Sequence, residues 1–172
     1  MNLKNNTERW HPSVTVAAVM EQDGKFLLVE EHTPEGLRLN NPAGHLDQGE
    51  SLIQACVRET MEETAHPFIP MALLGIYMSR FQRPDTVLKA QSLSATHDIT
   101  YLRFAFCGTV AQAIAGQALD TGIVRALWLT PDEIRASQKR HRSPLLVKCM
   151  EDFLRGQRMP LENLHTDASI WA

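Results

Sequence analysis

The hydrophobic pattern near the start of the chain predicts strands joined by turns. Apolar and β-branched residues fill Val14 to Met20 and again Lys25 to Glu30, and each run has the length of a strand. Asp23-Gly24 between the two runs is a preferred dipeptide of two-residue hairpin turns. The polar segment Glu31 to Arg38 is expected to be a loop, which leads into a short extended segment from Leu39 to Pro42.

An uninterrupted stretch from residue 52 to residue 64 predicts a helix. It contains no Gly or Pro, and Ser51 with Gln54 forms a capping box at its start. At about 100° per residue, the helix separates its residues into two faces of different character. The more apolar face carries Ile53, Val57, Thr60, Met61 and Thr64, and the opposite side carries Glu59, Glu62 and Glu63 beside Ala55 and Cys56.

The second half of the chain alternates between further strands and helices. Strands are predicted at Ala72 to Ser79, Ile99 to Val110 and Ala126 to Leu129. The polar segment 80–98 is expected to be a long connection, either a functional loop or an irregular surface insertion. Alternation along the strand that follows it places Arg103 on the face opposite Leu102, Phe104 and Phe106. A charged residue in the middle of a strand either protects a sheet edge from pairing with another chain or points to an anionic ligand. We favour the ligand.

The C-terminal part of the chain predicts two helices. Thr130 to Glu133 is a capping signature with Pro at the first helical position. A further helix is expected over about 144–155, with apolar residues at helical spacing and Gly156 as its stop. The terminal Ile170 and Trp171 either dock or fray. Strands on both sides of a central helix, with a helical end, predict an α/β fold in which helices sandwich a mixed sheet.

Length and composition set the broad class of the protein. The 172 residues predict a single domain spanning 1–172, with 44% hydrophobic and 22% charged residues. A net charge of −3 argues against a nucleic-acid polymer as partner. The N-terminus does not resemble a signal peptide, and no apolar run is long enough to cross a bilayer. Three separated cysteines suit a reducing cytosol, so we expect a cytoplasmic protein. We expect it to be a monomer or a small homo-oligomer.

The acidic residues of the central helix form a cluster that needs a positive partner. Glu59 lies three residues from Glu62 and four from Glu63, so neighbouring turns stack like charges at roughly 0.2–0.5 kcal/mol for each pair. Arg58 is the one nearby cation in the sequence. Mg²⁺ prefers carboxylate oxygens and shares its coordination shell with substrate phosphates. We therefore favour a metal site over a solvated acidic face.

The residues around this cluster resemble a known sequence motif. Gly44, then Glu50 after five residues, then Arg58 to Glu63 after seven more is similar to the Nudix box of the Nudix hydrolases, which would span 44–66 here. Ala65 and His66 depart from the pattern, since the family usually has Gly and an apolar residue at these positions. The resemblance implies a Nudix-type α/β/α sandwich with a mixed β-sheet.

The resemblance also implies roles for individual residues in hydrolysis of a diphosphate link. Glu59 and Glu63 are expected to be the main metal pair, Glu62 to complete the set, and the carbonyl of Gly44 to add an oxygen. The ion would be Mg²⁺, with Mn²⁺ as the alternative. Arg58 is expected to hold a nearby carboxylate, either Glu50 or Glu59.

Two roles in this reaction have more than one candidate. The general base is expected to be Glu62, with Glu59 and, from a later loop, Asp120 as alternatives. Arg103, together with Arg80 or Arg83, is the candidate for binding the terminal phosphate.

One subgroup of the family, the NudJ-type nucleoside di- and triphosphatases, is similar beyond the box. The matching pieces are Pro42 to Leu46, Leu102 to Phe104, Arg142 to Leu145 and Gly156 to Arg158. That subgroup usually has Trp where Leu39 stands. The resemblance implies hydrolysis of nucleoside tri- and diphosphates, and of hydroxymethylpyrimidine diphosphate, with release of phosphate. The alternatives are an enzyme that clears oxidised nucleotides and a sensor that binds a nucleotide without cleaving it, although the box acids are all present.

Overall fold

The computed structural model describes residues 9–84 and 96–172, with side chains described for 9–81 and 98–172. Seven strands of this part of the chain form one mixed sheet. They are β1 Ser13–Gln22, β2 Lys25–Thr33, β3 Gly36–Asn40, β4 Ala43–His45, β5 Phe68–Pro84, β6 Thr96–Val110 and β7 Ile123–Leu129. The α-helices are α1 Leu52–Thr64, α2 Pro131–Ala136 and α3 Leu145–Leu154, and short 3₁₀ turns lie at Gln138–Arg140, Leu161–Asn163 and Ala168–Trp171.

The centre of the sheet is β1, which lies parallel to β6 and antiparallel to its other neighbours. The strand order is β3-β2-β1-β6-β5, with β4 paired to β1 and β7 paired to β2. β1 and β2 pair only beside their hairpin, at Glu21 with Phe26 and Gln22 with Lys25. Nearer the start of β1, β4 takes the place of β2, with Thr15 opposite His45. The sheet therefore opens between β1 and β2, and the candidate site lies at this opening.

Helices cover both faces of the sheet, as the predicted α/β/α sandwich requires. Because successive side chains of a strand point to opposite faces, β1 contributes to two separate cores. Ala17 and Val19 pack on the side of α2 and α3, with Ile134, Leu146, Cys149 and Met150. Val16, Ala18 and Met20 pack on the side of α1, with Ala55 and Cys56.

The capping box predicted at the start of α1 is confirmed. The backbone N–H of Gln54 donates to the Ser51 hydroxyl at 3.2 Å, and the Ser51 N–H donates to the Gln54 side chain at 2.8 Å. The helix ends at Thr64, and the residue that caps it, Ala65, has φ 59 and ψ 14 in the left-handed region that favours glycine. Ala65 thus adopts the backbone conformation of the glycine that it replaces.

The side of α1 that packs most deeply combines residues of both predicted faces. The buried residues are Ala55, Cys56, Thr60, Glu63 and Thr64. The two threonine hydroxyls donate to backbone carbonyls one turn earlier, at 2.7 Å for Thr60 and 2.6 Å for Thr64. With these hydroxyls satisfied inside the helix, a small-residue face can lie close to the sheet. The acidic residues are consequently directed to the edge of the core rather than away from it.

The prediction of a loop at Glu31 to Arg38 is wrong. β2 continues to Thr33 and pairs with β3 from Val29 opposite Asn40 to Thr33 opposite Gly36. Glu30 and Glu31 are buried at 5% exposure each because arginines pair with them. A strand that buries ion pairs has the polar composition of a loop, which explains the error.

The predicted long connection at 80–98 is also shorter than expected. β5 and β6 extend into it and pair from Phe68 opposite Val110 to Pro84 opposite Thr96. The remaining residues of the segment, 85–95, lie outside the described part of the chain, as does the side chain of Arg83.

The C-terminal segment returns to the sheet and then to α1. α3 agrees with the helix predicted at about 144–155. Leu73 of β5 and Met159 exchange backbone hydrogen bonds at 2.9 and 2.8 Å. The Trp171 indole N–H then donates to the Gln54 side chain at 3.2 Å, so the terminal residues dock on the start of α1. Within the described ranges, no helix is long and apolar enough to span a membrane.

Candidate functional site

The acidic side of α1 lies directly against β4. A Cβ atom on Gly44 would fall 2.0 Å from the carboxylate carbon of Glu59, so any larger residue at 44 would displace that carboxylate. One turn later, Glu63 accepts a hydrogen bond from the Ala43 backbone N–H at 2.8 Å. Glu63 therefore ties the helix to β4, and the Glu59 carboxylate lies in the space that a side chain at position 44 would occupy.

Arg58 connects the acids that surround it. Its guanidinium donates twice to Glu50, at 2.7 and 3.0 Å, which is a bidentate pair. It also donates to Glu59 at 2.9 Å, to Glu62 at 3.0 Å and to the backbone carbonyl of His45 at 3.0 Å. The hydrogen bonds from Arg58 lower the pKa of Glu50. Arg58 therefore fixes the carboxylates in position, and both pairings expected from the sequence are present.

Burial changes the acidity of the two carboxyls that face the cavity. Removal from water raises the pKa of Glu59, against the lowering effect of Arg58. Burial raises the pKa of Glu63 to about 8, and the negative charges of Glu59 and Glu31 add to this effect. Two carboxyls held together at low exposure favour any cation that can share their charge.

The donor set at this position fits a hard divalent cation. Glu59, Glu63 and Gly44 all line one cavity and offer carboxylate and backbone oxygens, which are the ligands that Mg²⁺ takes in proteins. In the described part of the chain, no three His, Cys, Asp or Glu side chains already converge as a complete metal site. Arg58 holds the carboxylates of Glu59 and Glu62 in ion pairs. A bound ion would compete with Arg58 for the Glu59 carboxylate.

The cavity has a volume of about 590 Å³ and opens where β1 and β2 diverge. Its size is in the range of small-molecule sites. The lining side chains are mostly polar. Besides the residues named above, they include Thr15, Asn40, His45, Asp47, Ser79, Phe81, Tyr101, Arg103, Arg142 and Ser143.

Arg103 occupies the floor of this cavity. It lies in β6 between Thr15 of β1 and Tyr77 of β5. Its Nε and Nη1 atoms are buried and have no hydrogen-bond partner among the described residues. Burial lowers the pKa of Arg103, although its guanidinium remains a strong base. An unpaired buried cation that faces a cavity is ready to accept an anionic ligand.

The structure does not bring all predicted site residues to the cavity. Arg80 is on the opposite face of β5 from Ser79 and Phe81, 62% exposed, and pairs with Asp98. Glu62 does not line the cavity and stays paired with Arg58. Asp120 is next to α1, where its backbone N–H donates to the Glu62 carbonyl at 2.9 Å, but it does not line the cavity either.

Arg142 of the cavity lining and its buried partner Glu31 are features to which the sequence analysis gave no role. Arg142 lines the cavity, its backbone N–H donates to the Leu39 carbonyl at 2.9 Å, and its guanidinium pairs with the buried Glu31. The sequence feature that could have indicated these ion pairs is the adjacent Glu30 and Glu31 at the end of a predicted strand. Their partners lie more than ninety residues later in the chain, and no local pattern links them.

Comparison with known proteins agrees with this architecture. Residues 9–149 match the NUDIX domain. The phosphatases NudJ of Escherichia coli and Shigella flexneri are each 35% identical over 151 residues, which cover 88% of this chain and 89% of theirs. A NUDIX hydrolase from Nitrosomonas europaea is 50% identical, with a TM-score of 0.78 over 91% of this chain and 98% of its own. A UDP-X diphosphatase, 18% identical with a TM-score of 0.60, shares the fold over 91% of this chain and 70% of its own.

The sandwich, the acidic helix and these matches define the class of protein. The chain belongs to the Nudix hydrolase family, whose members act on pyrophosphate bonds. Within that family, it is similar to phosphatase NudJ over most of its length.

Proposed function

We propose that this protein hydrolyses nucleoside tri- and diphosphates with a divalent cation, Mg²⁺ or Mn²⁺, and releases phosphate. Hydroxymethylpyrimidine diphosphate is a further candidate substrate, because it offers the same diphosphate group on a heteroaromatic ring. The similarity to phosphatase NudJ over 88% of the chain supports this choice among pyrophosphate compounds.

One observation carries the proposal. A buried guanidinium without a partner among the described residues, that of Arg103, shares a cavity with the carboxyls of Glu59 and Glu63. A phosphate chain bridged to a cation would satisfy both kinds of charge together, since phosphate oxygens bind guanidinium directly and bind carboxylates through a metal ion.

We assign the cation to Glu59 and Glu63, with the Gly44 carbonyl and Glu62 as the further oxygen donors. When bound, a divalent ion supplies positive charge to the phosphate oxygens and makes water more acidic. Arg58 holds the carboxylates of Glu50, Glu59 and Glu62 in position through its hydrogen bonds. Its role is to position the acids rather than to touch the substrate.

We assign the remaining two roles to Arg103 and Glu62. Arg103 binds and orients the terminal phosphate from the floor of the cavity, where water is excluded from two of its nitrogens. Glu62, the more exposed acid of α1, accepts the proton of the attacking water.

A phosphate-release screen tests the proposal. Purified protein is incubated with nucleoside tri- and diphosphates, hydroxymethylpyrimidine diphosphate and sugar nucleotides, with Mg²⁺, with Mn²⁺ and with excess chelator. We expect phosphate from the first two classes only when a divalent ion is present. Activity that persists undiminished in chelator would falsify the metal role, and the absence of hydrolysis of any pyrophosphate would contradict the assignment as a whole.

A further inference from the structure

Leu39 of β3 offers no surface to a substrate ring in this protein. Leu39 has 0% exposure and packs in the core on the side of α2 and α3, with Ala17, Leu28 and Leu146. It does not line the cavity. A substrate with a heteroaromatic ring must therefore find its contact surface elsewhere.

Two aromatic side chains provide such a surface in the same cavity. Phe81 of β5 and Tyr101 of β6 both line it, with ring centroids 5.8 Å apart and planes at 76°. In this edge-to-face arrangement, the ring that contributes its edge keeps both faces free of the pair. The His45 ring lies 6.1 Å from Tyr101 and continues the surface toward β4.

The strand register puts this pair on the same face as Arg103. Tyr101 is opposite Ser79, Phe81 is opposite Ile99, and Arg103 is opposite Tyr77. Since alternate residues share a face, Tyr101 and Arg103 follow one another along the same side of β6, about 7 Å apart at the strand rise. Phe81 is one step further from Arg103 than Tyr101 is. The cavity thus has a charged inner end and an aromatic outer end.

We infer that Phe81 and Tyr101 form the subsite for the heteroaromatic base of the substrate, and so determine which pyrophosphates are accepted. The inference rests on the proposed function and deepens it. The phosphates bind between Arg103 and the acids of α1, and the sugar or other linker spans the step to Tyr101. The ring then packs against the aromatic pair.

A binding experiment with two non-hydrolysable probes tests this inference without relying on turnover. The first is a nucleoside diphosphate with a methylene group between its two phosphorus atoms, and the second is methylenediphosphonate, which has the same P–C–P group and no ring. Dissociation constants are measured by calorimetry in Mg²⁺ for the wild type, Phe81→Leu and Tyr101→Leu. Melting temperatures check that each variant folds.

We expect each leucine variant to bind the nucleoside probe about five- to one-hundred-fold more weakly, the range that base–aromatic stacking supplies. Binding of methylenediphosphonate is expected to stay within about twofold, because the charged end of the cavity is unchanged. Phe81→Tyr and Tyr101→Phe keep the rings and should retain affinity for both probes. Met78→Ala is the matched control, since Met78 lies on the other face of β5 and is 67% exposed.

Three results would overturn the inference. Leucine variants that bind both probes as the wild type does would show that the rings make no contact with the base. An equal loss for both probes would show a general distortion of the cavity. A wild type that binds the two probes equally would show that the ring adds nothing. If ring-dependent binding is found but the phosphate-release screen fails, the proposed hydrolysis is wrong and the subsite stands.

Discussion

Arg103 has an uncommon environment for a charged side chain. Two of its guanidinium nitrogens are buried and unpaired within the described structure. Burying a charged group without a partner destabilises the folded state by several kcal/mol, so folded proteins seldom contain such a group in their interior. The cost is offset when a bound anion supplies the missing partner. The placement of Arg103 beside the acids of α1 therefore points to binding rather than to folding.

Replacement of Arg103 by Ala is expected to weaken activity and to leave the fold intact. Loss of charged hydrogen bonds of roughly 1.5–3 kcal/mol should reduce kcat/KM by about 10- to 100-fold. The melting temperature should be unchanged or slightly higher, because an unpaired buried charge is removed. Steady-state kinetics and a thermal melt measure the two effects.

Arg80→Ala is the matched control for this experiment. Arg80 lies in the adjacent strand, is exposed, and forms a surface ion pair with Asp98, which contributes little to stability. Its kinetics should match the wild type. An Arg103→Ala protein that unfolds while its folded fraction keeps full specific activity would make Arg103 a structural residue.

Gly44 is expected to be irreplaceable even by alanine. An added Cβ would lie 2.0 Å from the Glu59 carboxylate, and Arg58 restrains that carboxylate from moving away. A displacement of about 1 Å in a catalytic group can reduce the rate by about 100-fold. Gly44→Ala should therefore lose activity by about this factor and need more Mg²⁺ for half-maximal turnover. Wild-type turnover and metal dependence would show that the contact with Glu59 has no catalytic role.

Glu62 and Asp120 can be separated by paired substitutions. General-base catalysis contributes about 10²- to 10⁴-fold, so Glu62→Gln should reduce kcat by an amount in this range. Asp120→Asn should change kcat less, because Asp120 hydrogen-bonds α1 through its backbone N–H, whereas Arg58 holds the Glu62 carboxylate beside that of Glu59. Single-turnover rates at saturating Mg²⁺ provide the measurement. The reverse pattern would transfer the role of base to Asp120.

Helix α1 joins the site to the sheet, and its end carries a local conflict. Ala65 is held at φ 59, where a Cβ atom destabilises the folded state by about 1–2 kcal/mol. Glycine avoids this strain but loses more conformational entropy on folding, so only part of the energy is gained by the replacement. We expect Ala65→Gly to stabilise the protein by about 0.5–1 kcal/mol. For a chain of this size, 1 kcal/mol shifts the melting temperature by about 2–4 °C.

The kinetics should separate this effect from catalysis. Because Ala65 follows the acids of α1 and does not line the cavity, kcat of Ala65→Gly should equal that of the wild type. A drop in melting temperature would mean that packing of the buried Ala65 methyl group outweighs the backbone strain.

At the level of secondary-structure elements, sequence patterns predicted the features that depend on residues close together in the chain. Three features follow from neighbours within a few residues: the capping box at Ser51, the alternation that sets Arg103 apart from its apolar neighbours, and the helix predicted at about 144–155. The mixed sheet between two helical layers was predicted from the alternation of elements and from the family resemblance, and the structure confirms it. The order of the strands was not predicted.

The errors arose where polar residues are buried by distant partners. The loop predicted at Glu31 is wrong because its partner, Arg142, lies far away in the sequence. The burial of Ala55, Cys56 and Glu63, on the side of α1 that carries the acids, was not predicted because it depends on how the helix packs against the sheet. A role for Phe81 was not predicted either, because its contact with Tyr101 depends on the pairing of β5 with β6. Such features require the three-dimensional arrangement.

At the scale of the whole molecule, the two cores on either side of the sheet hold the cavity between them. One core anchors α1, which carries the acids, and the other anchors α3. On the second side, the buried Asp152 of α3 accepts hydrogen bonds from Tyr77 of β5 at 2.8 Å and from Lys148 at 2.6 Å. Tyr77 is the strand neighbour of Arg103, so the same strand pair that binds α3 also forms the cavity floor.

The central claim is that the carboxyls of α1 bind a divalent cation on which hydrolysis depends. Glu63→Gln tests it, because the amide keeps an acceptor for the Ala43 N–H and removes the charge that a metal needs. Without metal, the variant should melt at or above the wild-type temperature, since burial and the neighbouring Glu59 disfavour a charge at this position.

The most direct measurement is a Mg²⁺ titration of wild type and Glu63→Gln that follows melting temperature and turnover together. For the wild type, Mg²⁺ at about 100 times its Kd should add about 2.7 kcal/mol of stability and bring turnover to its maximum in parallel. For the variant, we predict little or no thermal shift over the same range and a kcat lower by at least about 100-fold, equivalent to several kcal/mol of transition-state stabilisation. A variant with the wild-type thermal shift, wild-type kcat and unchanged Mg²⁺ dependence would contradict the account.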